Sequence, residues 1–381
     1  MKSKICKLCL TCANILVLII LMNIFLFKTK LRNTEVRNYM LKQLEPFKEG
    51  VGFEKLEKVY NLTKKFKMDY QLCFIQVISQ QVYSECHAEI NFYSEILHSA
   101  IYKVLEFKHI PNVEFILACD DVITKEFPFK DVPVFAFSKR TKDKNAILLP
   151  DPYLLQISKW EYVIRSINGL RNSTPWEKKE ARIFFRGASS DIQVKANHTA
   201  SYVAENSARY KLVEMSKKHP DKIIATFNNY QFVEKEAIEI IRKEFGSESA
   251  WASFPEHLKY RYLMSLDGKG CAWMRVPWIM YSDSVLFKHE TDLRQWFYGA
   301  LKPYKHYIPV EKKDLSDLEE KIDWAESNQD QVRKISSLAN QFVRENLTPE
   351  KVLEDLALIL TSYSYLQNFY PKKRFPHVSR H

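Results

Sequence analysis

Residues 262–275 read Tyr-Leu-Met-Ser-Leu-Asp-Gly-Lys-Gly-Cys-Ala-Trp-Met-Arg, and this stretch indicates the fold more strongly than any other. Its first five residues predict a buried strand, and its last residues begin a helical pattern. The loop between them contains Asp267, Gly268 and Gly270. The start of a helix presents backbone N–H groups to an anion, and Arg275 would add a guanidinium. The stretch therefore predicts a diphosphate site, with a spacing that matches neither the Walker nor the dinucleotide fingerprint.

A second predicted strand, which ends in Phe184-Phe185-Arg186-Gly187, also has an arginine and a glycine at its end. An apolar run ends there in an arginine and in a glycine, which lets the backbone turn tightly or approach a ligand. We therefore count Arg186 and Gly187 among the candidate ligand-binding residues, with a structural ion pair at the strand end as an equal alternative for Arg186. Arg209 is by itself typical of a charge on a helix surface.

Outward from these motifs, short apolar runs alternate with helical patterns in two blocks. Strands are predicted over 113–118, 132–137, 182–185, 223–227, 262–266 and 285–287, and helices over 90–107, 200–217, 233–245 and 272–281. Strands that alternate with helices predict two doubly wound α/β domains. We place the domains at 51–174 and 175–345. A C-terminal segment, 346–381, is predicted to begin with a helix that packs back on the first domain.

Two adjacent carboxylates, Asp120 and Asp121, follow the apolar strand predicted over 113–118. Ligands of open α/β sheets bind at the carboxyl ends of strands, where a carboxylate can serve as a general base. Because adjacent side chains alternate sides of a strand, we expect only one of the two to face a cleft. A turn-forming pair without catalytic function is the alternative.

The N-terminus is typical of a membrane anchor. An apolar stretch from about Leu8 to Phe27 lies between lysines and is long enough to span a bilayer of ~30 Å. No small-residue cleavage site follows it, so an uncleaved signal anchor within residues 1–30 is favoured over a cleaved signal peptide. Residues 31–50 are polar, charged and weakly patterned, which predicts a stem.

Four tripeptides fit the N-glycosylation pattern, at Asn61, Asn172, Asn197 and Asn346. With the short N-terminal tail they predict a single-pass type II protein whose bulk lies in the secretory lumen, in the endoplasmic reticulum or the Golgi. In that oxidising compartment Cys73 and Cys86 could pair, whereas the cysteine spacings match no zinc site. The net charge of +11 is spread along the chain without a dense basic run, which argues against a nucleic-acid partner.

Several separated blocks resemble the CAP10-domain glycosyltransferases, most closely their animal protein O-glucosyltransferase branch. The resemblance covers most of residues 85–365, with its blocks in the family's order. They are Pro175-Trp176, Phe184-Phe185-Arg186-Gly187, Tyr260-Arg261-Tyr262, Asp267-Gly268, Arg275-Val276-Pro277 and the stretch from Leu301 to Val310.

The resemblance implies a GT-B fold, in which two Rossmann-like domains face a cleft. It also implies inverting transfer of glucose or xylose from a UDP-sugar to a serine hydroxyl of an EGF-like repeat, without a metal or another cofactor. The aspartate that serves as base in the family falls on Asp121, and the arginines that contact the donor fall on Arg275 and Arg209.

This chain departs from the family pattern in two loops. The spacing from Asp267 to Arg275 is about one residue longer than usual, and a longer insertion begins at Ala188 before Arg209. Two other functions therefore stay open beside protein glycosylation. One is transfer to a glycan or polysaccharide acceptor, and the other is a non-catalytic lumenal binding protein that keeps the fold.

Overall fold

The computed structural model describes residues 34–66, 71–87, 92–122 and 131–380, which form an α/β protein. The anchor predicted within residues 1–30 lies outside this range. Across the part of the chain that is described, we find no helix with the length and apolar character needed to cross a membrane.

The described strands are β1 (Leu72–Ile78), β2 (Gln81–Cys86), β3 (Val113–Ala118), β4 (Val134–Ala136), β5 (Lys139–Arg140), β6 (Ala146–Leu148), β7 (Glu180–Ala188), β8 (Ile223–Asn229), β9 (Tyr260–Ser265), β10 (Val285–His289), β11 (Leu293–Arg294) and β12 (Ile308–Val310). The described α-helices are α1 (Glu35–Lys42), α2 (Phe53–Phe66), α3 (Phe92–Leu105), α4 (Pro152–Leu155), α5 (Ile157–Leu170), α6 (Ala200–Asn206), α7 (Ala208–Lys218), α8 (Ile238–Phe245), α9 (Phe254–His257), α10 (Arg275–Tyr281), α11 (Leu318–Ser327), α12 (Gln329–Asn346) and α13 (Pro349–Ser364).

The sheet of the first half has the order β2-β1-β3-β4-β6 and is mixed. Strand β1 is antiparallel to both β2 and β3, whereas β3, β4 and β6 are parallel. The α/β character expected for this half is present, and the antiparallel edge formed by β1 and β2 is a feature that the sequence did not predict. The cause is a two-residue turn at Ser79 and Gln80, both with positive φ, which forces β1 and β2 into a hairpin.

A disulfide between Cys73 and Cys86 joins β1 and β2 at directly opposite positions. The pairing considered from the sequence is confirmed. The other cysteines within the described residues, Cys119 and Cys271, are free and buried. A disulfide of this kind is typical of an oxidising compartment.

The sheet of the second half has the order β12-β10-β9-β7-β8, and all of its strands are parallel. Counted along the chain, this is the 2-1-3-4-5 order of doubly wound folds. Their ligands bind at the switch point, where the strand order reverses. Here the switch point lies between β7 and β9, at the ends of the strands that carry Gly187 and Asp267.

The two halves share one hydrophobic core. A single cluster of buried residues runs from β1 and β3 of the first sheet to Trp278, Ile279 and Trp296 of the second half. A separate cluster covers the other face of the second sheet. Strands β5 and β11, one from each half, also pair with each other. The spacing between the halves is thus fixed by packing.

The predicted helix over 200–217 is interrupted at Ser207, which corrects the sequence prediction. Ser207 has extended backbone angles, and its hydroxyl accepts a hydrogen bond from the Tyr210 amide. It therefore caps α7 and ends α6. The interruption places Arg209 in the first turn of α7.

The segment expected to be a stem is folded, at least over residues 34–50. Helix α1 buries Val36 and Met40 in the shared core. The Arg37 guanidinium donates to the Asp355 carboxylate on α13 at 2.9 Å, and both side chains are almost completely buried. Arg37 also donates to the half-exposed Glu354. Helix α13 begins at the Thr348 cap and packs on α3 and β3 of the first half.

The four predicted glycosylation sites differ in exposure. Asn61, Asn172 and Asn197 are exposed, whereas the Asn346 amide donates to the Phe342 carbonyl at the end of α12. Asn346 is therefore the least accessible of the four in the folded protein.

We expect Arg37→Met to lower the free energy of unfolding by roughly 3 kcal/mol, because it leaves the buried Asp355 carboxylate without its cation. Urea unfolding at neutral pH measures the change. Glu354→Gln is the matched control, since it removes a half-exposed partner of the same arginine and should cost at most about 1 kcal/mol. Equal effects of the two variants would contradict the anchoring of α1 through Asp355.

Candidate active site

Arg209 joins the two strands that flank the switch point. Its guanidinium donates to the backbone oxygens of Ala188, the last residue of β7, and of Leu266 and Asp267, after β9, at 2.6 to 3.1 Å. Nη1 donates in addition to Ser190 Oγ at 2.9 Å. Burial lowers the pKa of Arg209. Its side chain therefore fixes the position of both loops.

Arg275, at the start of α10, lies next to this cluster. Its guanidinium donates to the Arg186 carbonyl at 2.8 Å and stacks on the Phe185 ring, which also carries Arg209 on its face. Burial and the Arg209 charge lower the pKa of Arg275 to about 9. Within the described residues Arg275 has no acidic partner. The two close guanidiniums, without a counterion on Arg275, make this position the candidate site for an anion.

The loop from Asp267 to Arg275 is organised by the Asp267 carboxylate. Oδ1 accepts from the Ala272 amide at 2.9 Å, and Oδ2 accepts from the Thr291 hydroxyl at 2.6 Å. Both oxygens of Asp267 thus hold the loop in shape, which gives this residue a structural function beside the predicted donor contact.

Three glycines at the site stand where an added Cβ would lie within 3.2 Å of a neighbouring atom. A Cβ at Gly187 would lie 3.2 Å from Arg275 Nη2, and one at Gly268 would lie 2.6 Å from Ser190 Oγ. At Gly270 the nearest atoms belong to Asp121, whose Cβ would be 2.9 Å away. The loop of the second half therefore packs directly on the candidate base of the first half.

Asp121 lies just beyond β3 and is held from two sides. The Tyr93 hydroxyl donates to its Oδ1, and the Ser138 hydroxyl donates to its backbone oxygen. Burial, followed by the Asp121 charge, raises the pKa of Tyr93, so its phenol stays a donor. The structure thus brings together the predicted Asp121 and the loop that carries Gly270 and Arg275, which are far apart along the chain.

Asp120 also faces the second half, which corrects the expectation that only one of the two carboxylates would do so. Its Oδ1 accepts from the Asp121 amide at 2.7 Å and contacts Lys269 Nζ at 3.2 Å. The expectation failed because β3 ends at Ala118, so the strand's alternation does not extend to these residues.

Arg186 lies on the opposite face of β7 from Phe185 and Gly187. Its guanidinium donates to Thr226 Oγ1 at 3.0 Å and to Glu256 Oε1 at 2.7 Å. The strand-end ion pair considered from the sequence is therefore present. Arg186 reaches the site only through its carbonyl, which accepts from Arg275.

An aromatic group that the sequence did not predict contacts Asp121 through Tyr93. It consists of Phe92, Tyr93, Tyr153 and Trp273, with neighbouring ring centroids 5.3 to 6.3 Å apart. Its members come from α3, α4 and the loop before α10, so no local spacing relates them. The one feature of the sequence that could have indicated this group is the position of Trp273, two residues before Arg275 in the candidate diphosphate loop.

The Asp151 carboxylate positions Tyr153 within this group. Asp151 is completely buried and caps α4 by accepting from the Tyr153 amide at 2.7 Å. Burial raises the pKa of Asp151 to about 7, from its ordinary value of 3.8.

A pocket of about 440 Å³ opens beside the loop. It is lined by Arg140 of the first half and by residues of the second half that include Asp191, Phe232, Gly268 and Lys269. The site thus combines a pocket, a cationic switch point and a facing carboxylate.

Comparison with known proteins places these features in the glycosyltransferase class. Residues 34–379 match the family described as glycosyl transferase family 90. The chain belongs to this family, and the CAP10-domain resemblance is confirmed.

The relatives include three protein O-glucosyltransferases. Protein O-glucosyltransferase 2 of Danio rerio is 25% identical over 321 residues, which are 83% of this chain and 60% of that protein. Protein O-glucosyltransferase 3 of Homo sapiens is 29% identical over 294 residues, which are 74% of this chain and 52% of that protein. Protein O-glucosyltransferase 1 of Mus musculus is 23% identical over 348 residues, which are 87% of this chain and 80% of that protein. The chain thus spans only 52% to 60% of the first two relatives.

We expect Gly270→Ala to lower the free energy of unfolding by about 1–3 kcal/mol, because the new methyl group must displace Asp121 or the loop. Gly169→Ala is the matched control. Gly169 lies in α5, and a Cβ added there would have no atom within 4 Å, so its replacement should be neutral or stabilising by up to about 1 kcal/mol. Thermal and urea unfolding compare the stabilities of the two variants. Identical changes in the free energy of unfolding would contradict the close contact between Gly270 and Asp121.

Asp151 makes stability depend on pH. Because its folded pKa is raised, its contribution is complete below about pH 4 and is lost as the pH rises through about 7. A difference of one in pKa corresponds to about 1.4 kcal/mol, so a few kcal/mol are expected between these limits. Asp151→Asn keeps a capping oxygen but does not titrate. Urea unfolding from pH 4 to 8 should show a flatter profile for this variant, and parallel profiles would contradict the assignment.

Proposed function

We propose that this chain transfers glucose, or xylose, from a UDP-sugar to a serine hydroxyl of a secretory-pathway protein such as one with an EGF-like repeat. The observation that carries the proposal is the distribution of charge across the junction of the halves. Arg275 has no acidic partner among the described residues, and Asp121 faces the same loop from the other side. An anionic leaving group needs a cation, and a hydroxyl nucleophile needs a base.

The donor diphosphate would bind at the switch point. Arg275 and the N–H groups at the start of the loop would neutralise its charge, and Gly187 and Gly268 would let it approach the backbone. Arg209 would act by holding both loops, because most of its donors are already engaged with backbone oxygens. The donor contact predicted for the Arg186 side chain is not carried forward, since Glu256 occupies its guanidinium.

Asp121 would serve as the general base. Its Oδ1 accepts from Tyr93, which leaves Oδ2 to take the proton of the serine hydroxyl. The serine oxygen would then form a bond to the anomeric carbon while the bond from that carbon to the diphosphate oxygen breaks. Attack from the side opposite the leaving group would invert the anomeric configuration. No metal is required if Arg275 and the loop amides carry the developing charge.

Several finer features belong to the same proposal. The two α/β halves would form a GT-B fold, with the donor on the parallel sheet. The disulfide and the exposed glycosylation sites favour a lumenal location in the endoplasmic reticulum or the Golgi. The names of the relatives support glucose as the sugar and protein as the acceptor.

The test incubates the full chain with UDP-glucose or UDP-xylose, with and without a folded EGF-like repeat, in the presence of a chelator. Mass spectrometry of the repeat and release of UDP are followed together. An added hexose or pentose mass would support the reaction class, the donor and metal independence. Release of UDP without transfer would favour a glycan acceptor, and a folded protein that binds no UDP would favour a non-catalytic function.

Asp121→Asn should reduce transfer by about 10²–10⁴-fold, because an amide cannot take the proton of the nucleophile. UDP affinity should stay unchanged, since Asp121 contacts the acceptor side. Asp221→Asn is the control, because this exposed carboxylate precedes the amino end of β8, whereas the site lies at the carboxyl ends of the strands. Near-normal turnover of Asp121→Asn would remove Asp121 as the base.

A further inference from the structure

The cations around the switch point differ in how firmly they are bound. Arg209 donates to four oxygen atoms of the protein, and Arg186 is held by Glu256 on the other face of β7. Arg140 pairs with Asp292 at 2.8 Å. Lys269 forms a second ion pair across the two halves, with Asp120, at the longer distance of 3.2 Å.

Lys269 has the freedom to change partners, and Asp120 does not. Lys269 stands between Gly268 and Gly270 in the loop and lines the 440 Å³ pocket. Asp120 is tied to the backbone, because its Oδ1 also accepts from the Asp121 amide. A lysine side chain has a flexible four-carbon stem, so it can swing while the carboxylate stays in place.

The ion pair is weak enough to be exchanged. The Lys269 and Asp120 side chains are 44% and 34% exposed, and exposed ion pairs contribute little net stability. A diphosphate in the same pocket carries more negative charge than one carboxylate, and it would approach the loop at Gly268, beside Lys269. The competition for the ammonium group therefore favours the diphosphate when it is bound.

We propose that Lys269 is an exchangeable ligand for the diphosphate of the donor, held by Asp120 while the pocket is empty. The inference rests on the proposed function, because it assumes that a nucleoside diphosphate binds at the switch point. Donor binding would break the ion pair between the halves next to Asp121. Asp120 then competes with the donor for the Lys269 ammonium group. Lys269 therefore strengthens binding of the diphosphate, and Asp120 weakens it.

The test measures UDP binding to the full chain by titration calorimetry at fixed ionic strength. Lys269→Gln should weaken UDP binding about tenfold or more, because it removes a charge-assisted contact. Asp120→Asn keeps the oxygen that accepts from the Asp121 amide but removes the competing charge, so it should tighten binding several-fold. In the double variant the Asp120 effect should vanish, because no lysine remains to be released.

Two controls test whether the effect on binding is specific to Lys269 and to the phosphates. Lys302→Gln breaks an exposed ion pair with Glu35 of similar exposure, which lies outside the pocket, and it should leave UDP affinity unchanged. Uridine, which has no phosphate, should bind the parent chain and Lys269→Gln equally. Because circular dichroism and unfolding curves are measured for each variant, loss of binding through loss of folding is recognised.

The outcomes separate this inference from the proposed function. UDP binding that is unaffected by Lys269→Gln, or weakened by Asp120→Asn, would overturn the exchange while leaving the glycosyltransferase proposal in place. A folded parent chain that binds no UDP would overturn both. If Lys269→Gln weakened the binding of UDP and of uridine equally, the exchange would also be overturned. That result would show that the lysine affects the shape of the loop and does not contact the phosphates.

Discussion

The buried guanidinium of Arg209 is the interaction on which the geometry of the site depends. Parallel strands end in loops whose backbone oxygens have lost their sheet partners, and such oxygens are costly to bury unpaired. Arg209 satisfies the oxygens of Ala188, Leu266 and Asp267 with one planar group. It thereby fixes the distance between β7 and β9 at the switch point. The desolvation of its charge, which lowers its pKa, is offset by these hydrogen bonds.

The neighbouring Arg275 follows from this arrangement. It shares the Phe185 ring with Arg209, and burial together with the Arg209 charge lowers its pKa. Asp121 and Asp120 approach this positive region from the other half. Because one hydrophobic core runs through both halves, the separation between the carboxylates and the guanidiniums is set by packing. Because the core is close-packed, the distance between these groups can change little.

Glycosyl transferase family 90 covers residues 34–379, which include helix α1 as well as both sheets. The inclusion of α1 has a structural reason, because its Arg37 pairs with Asp355 and its apolar side chains lie in the shared core. The loop from Asp267 to Arg275 is also the place where this chain carries Lys269 and Gly270, which contact the two adjacent aspartates.

Four of the five strands of the parallel sheet, the glycines and arginines near their ends, and the aspartates after β3 were predicted from the sequence, whereas β12 was not. The predicted features are local, since burial periodicity and turn chemistry act over a few residues. The sequence did not determine the antiparallel β1–β2 hairpin, because the turn at Ser79 and Gln80 lacks the glycine or asparagine that signals such turns. Helix α1 was missed because its anchor, Asp355, is 318 residues away. The meeting of Tyr93 with Asp121 and Trp273 could not be predicted, because these contacts arise from the packing of the two halves and have no fixed spacing along the chain.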